Sequence, residues 1–244
     1  MHVFAALFLP LRLAAVLAWT LCGLAMQLTI FPFTAPHTHR AVVTFWSRGM
    51  LRCLGVALQT QGQPNCAPAL VVCNHISWLD ILALQTAMPV VFVAKSEIRH
   101  WPVLGWMVAL AGTCFIDRSR RSALRGVHGA LTQHLQAGQS VCIFPEGTTS
   151  DGSGLLPFHA GLFESAIAAQ VPVQPVLLRY SSVAAAYIGE MSLLRSALQV
   201  LLAPRLCATV LTLLPLASAS STRGQLSEAS YEQLTQALYN AAPQ

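Results

Sequence analysis

His75 and Asp80 are the two residues of this sequence whose chemistry best suits proton transfer. They bound the segment His-Ile-Ser-Trp-Leu-Asp. On one continuous helix this spacing would put their side chains about 140° apart. Ser77 followed by Asp80 is instead typical of a helix start, which would let the carboxylate reach back to the imidazole. Such a pair can act as a general base, because the carboxylate fixes the tautomer and raises the basicity of the free ring nitrogen.

Glu146 has a similar place behind another apolar segment, in Phe-Pro-Glu-Gly-Thr-Thr-Ser-Asp-Gly (144–152). Pro145 stiffens the exit of that segment, and Gly147 allows a backbone or a ligand to come close. A carboxylate held there can accept hydrogen bonds from substrate hydroxyls. For this motif and for the His75–Asp80 pair the alternative is purely structural: a turn, a strand end or a helix cap.

Arg118 follows a third apolar segment, Gly-Thr-Cys-Phe-Ile-Asp-Arg (112–118). An arginine at a strand end can hold a phosphate through two parallel hydrogen bonds from its guanidinium group. Arg120, Arg121 and Arg125 lie just beyond it, and for these three a solvated helix face is the preferred interpretation.

The elements that must position these residues follow from the hydrophobic pattern. Short apolar segments predict strands, and segments of helical periodicity alternate with them. This order predicts an α/β fold, in which helices flank a buried sheet and chemistry gathers at the carboxyl ends of the strands. The predicted strands are 70–73, 90–93, 113–116, 141–144, 171–178 and 207–214, and the predicted helices are 124–135, 155–169 and 223–240.

The first 33 residues predict a retained membrane anchor. Leu13 to Phe33 is a stretch of 21 uncharged residues, enough for a helix to cross a hydrocarbon core of about 30 Å. Because Arg12 interrupts the longer apolar stretch, both a full span and insertion into one leaflet fit the pattern. A second predicted helix, 39–58, would carry an arginine stripe suited to the lipid interface, or would pack on the globular domain as part of a hairpin.

Composition narrows the classes of function. The chain is 55% hydrophobic and 9% charged, which indicates contact with lipid. The net charge of +5 favours anionic lipids or phosphorylated substrates over nucleic acid, because no basic tract is interleaved with aromatic residues. The seven cysteines form no C-x-x-C motif, so we expect reduced core residues in a domain that faces the cytoplasm.

Four ordered motifs together resemble the PlsC-like glycerolipid acyltransferase family, which includes 1-acyl-sn-glycerol-3-phosphate (lysophosphatidate) acyltransferases. The segment around His75 and Asp80 matches the family's N-H-x4-D. Residues 112–118, 144–149 and 171–176 match its G-x-x-F-I-x-R, F-P-E-G-T-R and V-P-V-x-P-V. The resemblance covers roughly residues 65–180.

The resemblance implies a glycerol-3-phosphate acyltransferase-like sheet, with N-terminal membrane-embedded helices in 1–60 and the acyltransferase domain in 61–244. It implies transfer of a fatty acyl group from acyl-CoA or acyl carrier protein to a lysolipid hydroxyl, without a cofactor or metal. His75 would be the general base, and Asp80 would orient it. The expected location is a bacterial-type inner membrane, with the catalytic domain facing the cytoplasm and the bilayer as partner. The implied acceptor-binding or phosphate-binding residues are Arg118, Glu146, Gly147, Thr148, Thr149 and Lys95.

Thr149 departs from the family motif, which has arginine here for the acceptor phosphate. Losing that charge-assisted contact costs about 1.5–3 kcal/mol, roughly tenfold to a hundredfold in affinity. Lysophosphatidate is therefore the first candidate acceptor only because the family is dominated by it, and lyso-ornithine lipid, which lacks the glycerol phosphate, is the second. His159 or the Arg120 and Arg121 pair is an alternative source of the missing charge.

Two other classes of protein remain as alternatives. A lipid hydrolase could use the same histidine and aspartate, but the chain has no G-x-S-x-G motif to supply a nucleophile. A non-catalytic membrane scaffold would not need three polar segments at strand ends.

Overall fold

The computed structural model describes residues 2–63, 68–100, 105, 108–109, 113–116 and 121–240. For some of these residues, including Lys95 and 121–125, it describes only the backbone. The described α-helices are α1 (His2–Ile30), α2 (Pro36–Leu54), α3 (Leu79–Ala87), α4 (Arg121–Gln136), α5 (Glu164–Ala169), α6 (Leu193–Leu202) and α7 (Arg223–Asn240). Short 3-10 helices lie at Phe31–Phe33, Ser96–His100, Ala160–Phe163 and Val183–Ala185.

In this described part of the chain, seven strands form one sheet in the order β1-β7-β6-β2-β5-β3-β4. They are β1 (Val56–Gln61), β2 (Leu70–Cys73), β3 (Val91–Lys95), β4 (Cys114–Ile116), β5 (Val141–Ile143), β6 (Val173–Tyr180) and β7 (Leu206–Thr212). Strands β6, β2, β5, β3 and β4 are parallel, whereas β7 is antiparallel to β6 and β1 is parallel to β7. The carboxyl ends of the five parallel strands therefore share one edge of the sheet.

Helices cover both faces of this sheet, because alternate side chains of a strand point to opposite sides. Val71 and Cys73 of β2 belong to a buried cluster with residues of α2, α3 and α6. Leu70 and Val72 belong to a second cluster with residues of α4, α5 and α7. The predicted α/β fold, a buried sheet flanked by helices, is confirmed.

Helices α1 and α2 form a hairpin that is held by two tryptophans. The indole N–H of Trp19 donates to the carbonyl oxygen of Trp46, and that of Trp46 donates to the carbonyl oxygen of Trp19, both over 2.9 Å. Gly23 and Gly49 permit this approach, since a Cβ atom at either position would lie 2.2 Å from the facing indole ring. Helix α2 also packs on α3, so the hairpin is attached to the globular domain.

Within the described residues, one helical stretch, Phe8–Phe33, is long and apolar enough to cross a membrane. Its large side chains are mostly uncovered by the rest of the chain: Leu11 is 68% exposed and Leu17 is 63% exposed. Arg40, Arg48 and Arg52 of α2 are also exposed, in agreement with the predicted arginine stripe.

Two predicted helices differ from the structure. Helix α2 ends at Leu54 rather than 58, because Gly55 adopts a left-handed conformation (φ 76°) and the following residues pair with β7. The helix predicted for 155–169 starts only at the 3-10 turn Ala160–Phe163. Residues before that turn bind elsewhere: the Leu156 N–H donates to Glu146 over 3.0 Å, and the His159 N–H donates to the Pro145 carbonyl over 2.9 Å.

Candidate active site

His75 and Asp80 lie in contact at the carboxyl end of β2. The His75 Nδ1 atom is 2.8 Å from Asp80 Oδ2. A carboxylate can only accept, so Nδ1–H donates and Nε2 keeps its lone pair for an incoming proton. The Asp80 side chain is fully buried, whereas that of His75 is 22% exposed. The pair therefore has the arrangement of a general base, with one nitrogen held by protein and an imidazole that is still accessible.

Asp80 is held in place by the chain segment that leads into α3. Its Oδ2 atom also accepts the backbone N–H groups of Ile76, over 2.8 Å, and of Ser77, over 3.0 Å. The Asp80 side chain therefore reaches back from the first helical turn to the preceding residues, as predicted. Its Oδ1 atom accepts the hydroxyl of Tyr180 over 2.8 Å. Together these four donors fix the rotation of the Asp80 carboxylate.

His75 is held from the opposite side by residues of the 144–152 segment. The Phe144 ring stacks on the imidazole, with centroids 4.0 Å apart and planes 15° apart. The His75 N–H donates to Glu146 Oε1 over 2.8 Å, and the Ser150 N–H donates to the His75 carbonyl over 2.8 Å. The backbone and the ring plane of His75 are therefore both restrained by the chain that follows β5.

Glu146 is a buried carboxyl group that connects separate segments. It is 4% exposed, and its second oxygen, Oε2, accepts the Leu156 N–H over 3.0 Å. Burial raises the pKa of Glu146 above its ordinary value, and the two N–H donors act against that rise. Through this side chain the end of β2, the exit of β5 and the approach to α5 are bound to one another.

The three other predicted site residues of the 144–152 segment, Gly147, Thr148 and Thr149, have different surroundings. Gly147 has a left-handed φ of 71°, which glycine adopts without strain. Thr148 is exposed. The Thr149 hydroxyl donates to the carbonyl oxygen of Tyr187, whose own N–H donates to the Ile76 carbonyl over 2.9 Å. Thr149 thus joins the 144–152 segment to the chain that follows β6.

The structure does not describe the side chains of two predicted phosphate-binding residues, Lys95 and Arg118. Lys95 closes β3, where its backbone is in register with Ile116 of β4, and its side chain lies outside the description. Arg118 lies outside the described residues, as does Arg120, while Arg121 and Arg125 are given by backbone alone. His159, the alternative source of charge, is exposed on the segment before α5. The roles of these residues stay predictions.

Sequence reasoning missed Tyr180 and assigned no role to Asn74. The Asn74 side chain donates to the Leu178 carbonyl over 2.9 Å and accepts the Leu178 N–H over 2.8 Å, which joins the end of β2 to β6. Tyr180 then closes β6 beside Asp80. The available signal was a tyrosine two residues beyond the predicted strand 171–178, but only the pairing of β2 with β6 shows which residue it contacts.

Comparisons with known proteins place this chain in a family. The family model described as Acyltransferase matches residues 57–179. A 1-acyl-sn-glycerol-3-phosphate acyltransferase of Neisseria meningitidis is 46% identical over 59% of this chain, and the match spans 58% of that relative's length. A lyso-ornithine lipid O-acyltransferase of Pseudomonas aeruginosa is 34% identical over 81% of this chain and 78% of the relative.

A solved structure shares the whole fold. The crystal structure of the 1-acyl-sn-glycerophosphate acyltransferase PlsC from Thermotoga maritima superposes with a TM-score of 0.75, over 100% of this chain and 99% of that one, at 20% identity. At that identity the likeness establishes the fold alone. The family model and the relatives confirm the resemblance seen in the motifs: the chain belongs to the acyltransferase family.

Proposed function

We propose that this protein transfers a fatty acyl group from acyl-CoA or acyl carrier protein to the hydroxyl of a lysolipid. The observation that carries the proposal is the 2.8 Å hydrogen bond between His75 and the fully buried Asp80. It leaves one imidazole nitrogen to act at the edge of the sheet where the parallel strands end. The family relationship supplies the reaction class.

The reaction needs one base and no covalent enzyme intermediate. His75 Nε2 removes the proton of the acceptor hydroxyl as its oxygen attacks the thioester carbonyl carbon. Asp80 stabilises the imidazolium that forms, as the carboxylate of a catalytic triad does. When the tetrahedral intermediate collapses, the carbon–sulfur bond breaks and the imidazolium returns the proton to the departing thiolate. An ester and a free thiol result, and the enzyme is regenerated.

Glu146 contributes by holding His75 and by facing the acceptor. Two of its lone-pair sites accept the N–H groups of His75 and Leu156. A carboxylate has about four such sites, so the predicted contact with an acceptor hydroxyl uses those that remain. Gly147, Thr148 and the predicted cations Lys95 and Arg118 would surround the acceptor head group, without a metal or cofactor.

Lysophosphatidate is the first candidate acceptor, which would make phosphatidic acid the product. The 46% identical relative from Neisseria meningitidis is named for that acceptor. Lyso-ornithine lipid is a second candidate because Thr149 is uncharged and its hydroxyl is already bonded to the Tyr187 carbonyl. The relative that matches 81% of this chain is named for lyso-ornithine lipid.

The exposed apolar surface of α1 supports a membrane location. Within the stretch Phe8–Phe33, 11% of the membrane-length apolar segment is buried inside the protein, so lipid is its natural surrounding. We infer that the hairpin of α1 and α2 anchors the domain to a bacterial-type inner membrane, with the site facing the cytoplasm. That orientation would let both the lysolipid and its product stay in the bilayer.

One experiment tests the proposal and separates the acceptors. Membranes containing the protein, or its His75→Ala variant, are incubated with an acyl donor and a panel of lysolipids, and the products are identified by mass. We expect a new acylated lipid with the wild type and none with the variant. Product from lyso-ornithine lipid but not from lysophosphatidate would reverse the order of the acceptors. Equal product with His75→Ala would contradict the mechanism.

A further inference from the structure

Tyr180 is a half-buried tyrosine whose hydroxyl donates to the acid of the His75–Asp80 pair. It donates to Asp80 Oδ1 over 2.8 Å. The other oxygen, Oδ2, already accepts the His75 ring and the N–H groups of Ile76 and Ser77. The two carboxylate oxygens therefore have distinct partners, and the phenol lies on the side opposite the imidazole.

This contact is built by the sheet rather than by local sequence. Tyr180 is 100 positions from Asp80 in the chain. Pairing of β2 with β6 sets the distance, and the Asn74 side chain continues that pairing to Leu178, two residues before Tyr180. Because alternate strand residues share a face, Tyr180 lies on the same side as Leu178, where α3 packs and carries Asp80.

A hydrogen bond from a phenol to the second oxygen restricts rotation of the carboxylate about its χ2 torsion. Such rotation would turn Oδ2 away from the imidazole, so the Tyr180 bond helps to keep Nδ1–H occupied and Nε2 free. Burial, and then the charge of Asp80, raise the pKa of Tyr180 well above its ordinary value. The phenol consequently stays protonated and remains a donor throughout the physiological range.

We propose that Tyr180 is a positioning residue of the acyl transfer reaction, which acts on His75 only through Asp80. The inference rests on the proposed function, since it assigns a part in the same proton transfer. It predicts that Tyr180 alters the chemical step and the state of the His75 ring, and leaves lysolipid binding unchanged.

The test compares Tyr180→Phe with Tyr231→Phe. Tyr231 is the matched control because its hydroxyl bonds to the Leu155 carbonyl and lies outside the pair. We expect Tyr180→Phe to lower kcat about tenfold, the lower end for a hydrogen bond to a charged group, with KM unchanged within about twofold. Tyr231→Phe should keep both parameters. A fall confined to KM, or no fall in kcat, would overturn the proposal.

A second measurement does not depend on turnover. In protein labelled with ¹⁵N-histidine, the His75 Nδ1–H proton resonance, assigned by its loss in His75→Gln, should shift or broaden in Tyr180→Phe and stay unchanged in Tyr231→Phe. If no lysolipid is acylated but this resonance responds, the proposed function fails while the contact of Tyr180 with the pair stands. An unchanged resonance in a folded Tyr180→Phe variant would overturn the inference.

A double-mutant cycle shows whether Tyr180 works through Asp80. In an Asp80→Asn background, adding Tyr180→Phe should lower kcat by less than about twofold further. A full tenfold further loss would mean that Tyr180 acts by another route. Should Tyr180→Phe fail to fold, replacement of tyrosine by 3-fluorotyrosine keeps the hydroxyl in place and strengthens it as a donor, and the His75 Nδ1–H resonance should then shift. No shift would count against the proposal.

Discussion

Asp80 and Glu146 are two buried carboxylates that both bind His75, but they bind different parts of it. Asp80 accepts the ring Nδ1–H, and Glu146 accepts the backbone N–H. Three of the four Asp80 donors come from within five residues of it, whereas the Glu146 donors are 71 and 10 positions away. A carboxylate on the ring can govern where the proton goes. One on the backbone can only govern where the ring is.

Replacing Asp80 by Asn gives the largest effect that this comparison predicts. The asparagine oxygen can still accept the donors at the Oδ2 position, and its amide can donate to the Tyr180 oxygen, so we expect a folded protein. The negative charge that stabilises the imidazolium is lost, and acyl transfer should fall about 10²- to 10⁴-fold. Product formation and thermal unfolding in detergent measure the two effects. The control Asp151→Asn changes an exposed aspartate of the neighbouring loop and should keep full activity.

Replacing Glu146 by Gln should mainly reduce stability. A glutamine amide cannot accept at both positions, so one buried N–H, of His75 or of Leu156, loses its partner. The expected loss is about 1–3 kcal/mol in the free energy of unfolding, with a smaller loss of transfer than in Asp80→Asn. The exposed Glu190 supplies the control Glu190→Gln. If Glu146→Gln were as stable as the wild type and less active than Asp80→Asn, the two carboxylates would have the opposite roles.

The pH dependence of that stability difference follows from the raised pKa of Glu146. Because burial raises this pKa, ionisation of Glu146 costs folding free energy. Its stabilising contribution is complete below the ordinary carboxyl pKa and is lost as the pH rises through the raised value. Glutamine does not titrate, so the stability gap between the wild type and Glu146→Gln should narrow as the pH rises across that window. Unfolding curves at several pH values measure the gap, and a gap that widened would contradict the assignment.

Replacing Thr149 by Val should also reduce stability, but by less than Glu146→Gln does. It removes the hydroxyl that donates to the Tyr187 carbonyl while keeping the shape of the side chain. We expect a loss of about 0.5–1.5 kcal/mol in the free energy of unfolding, compared with no loss in the control Thr60→Val at an exposed position of β1. A stability equal to wild type with a changed choice of acceptor would show that Thr149 serves the substrate instead.

The smallest effect concerns two buried thiols: Cys73, which is close to both carboxylates, and Cys142, which is close to Asp80. Burial raises the pKa of Cys73 and of Cys142, and the charge of Asp80 adds to the rise at both. Neither should react with iodoacetamide in the native protein at about pH 8, and both should react after denaturation. Because burial is the largest cause, we expect the same result in Asp80→Asn and Glu146→Gln. Peptide mass spectrometry locates the label. If Cys73 were labelled in native Asp80→Asn but not in the other native proteins, the charge of Asp80 would protect the thiol more than burial does.

The sequence allowed the local parts of the site to be predicted, and the reason is physical. Asp80 reaches His75 within one turn of chain, so residue types and spacing were sufficient to predict the contact. The contacts of Glu146 with His75 and of Tyr180 with Asp80 depend on which strands are neighbours, and no pattern of hydrophobicity contains that order. The same applies to 155–159, whose helical periodicity was overridden when Leu156 and His159 donated to the 144–152 segment.

The reciprocal bonds of Trp19 and Trp46 have a consequence for the proposed membrane anchor. Interfacial tryptophans usually anchor a helix at head-group depth through a free indole N–H. Here both indoles donate to the partner helix, so these side chains hold the helices to each other and have no N–H left for a lipid. In the proposed membrane-anchored state, the exposed guanidinium groups of α2 would be available to contact lipid head groups. We expect the two helices to enter and leave the bilayer together, as one preassembled unit.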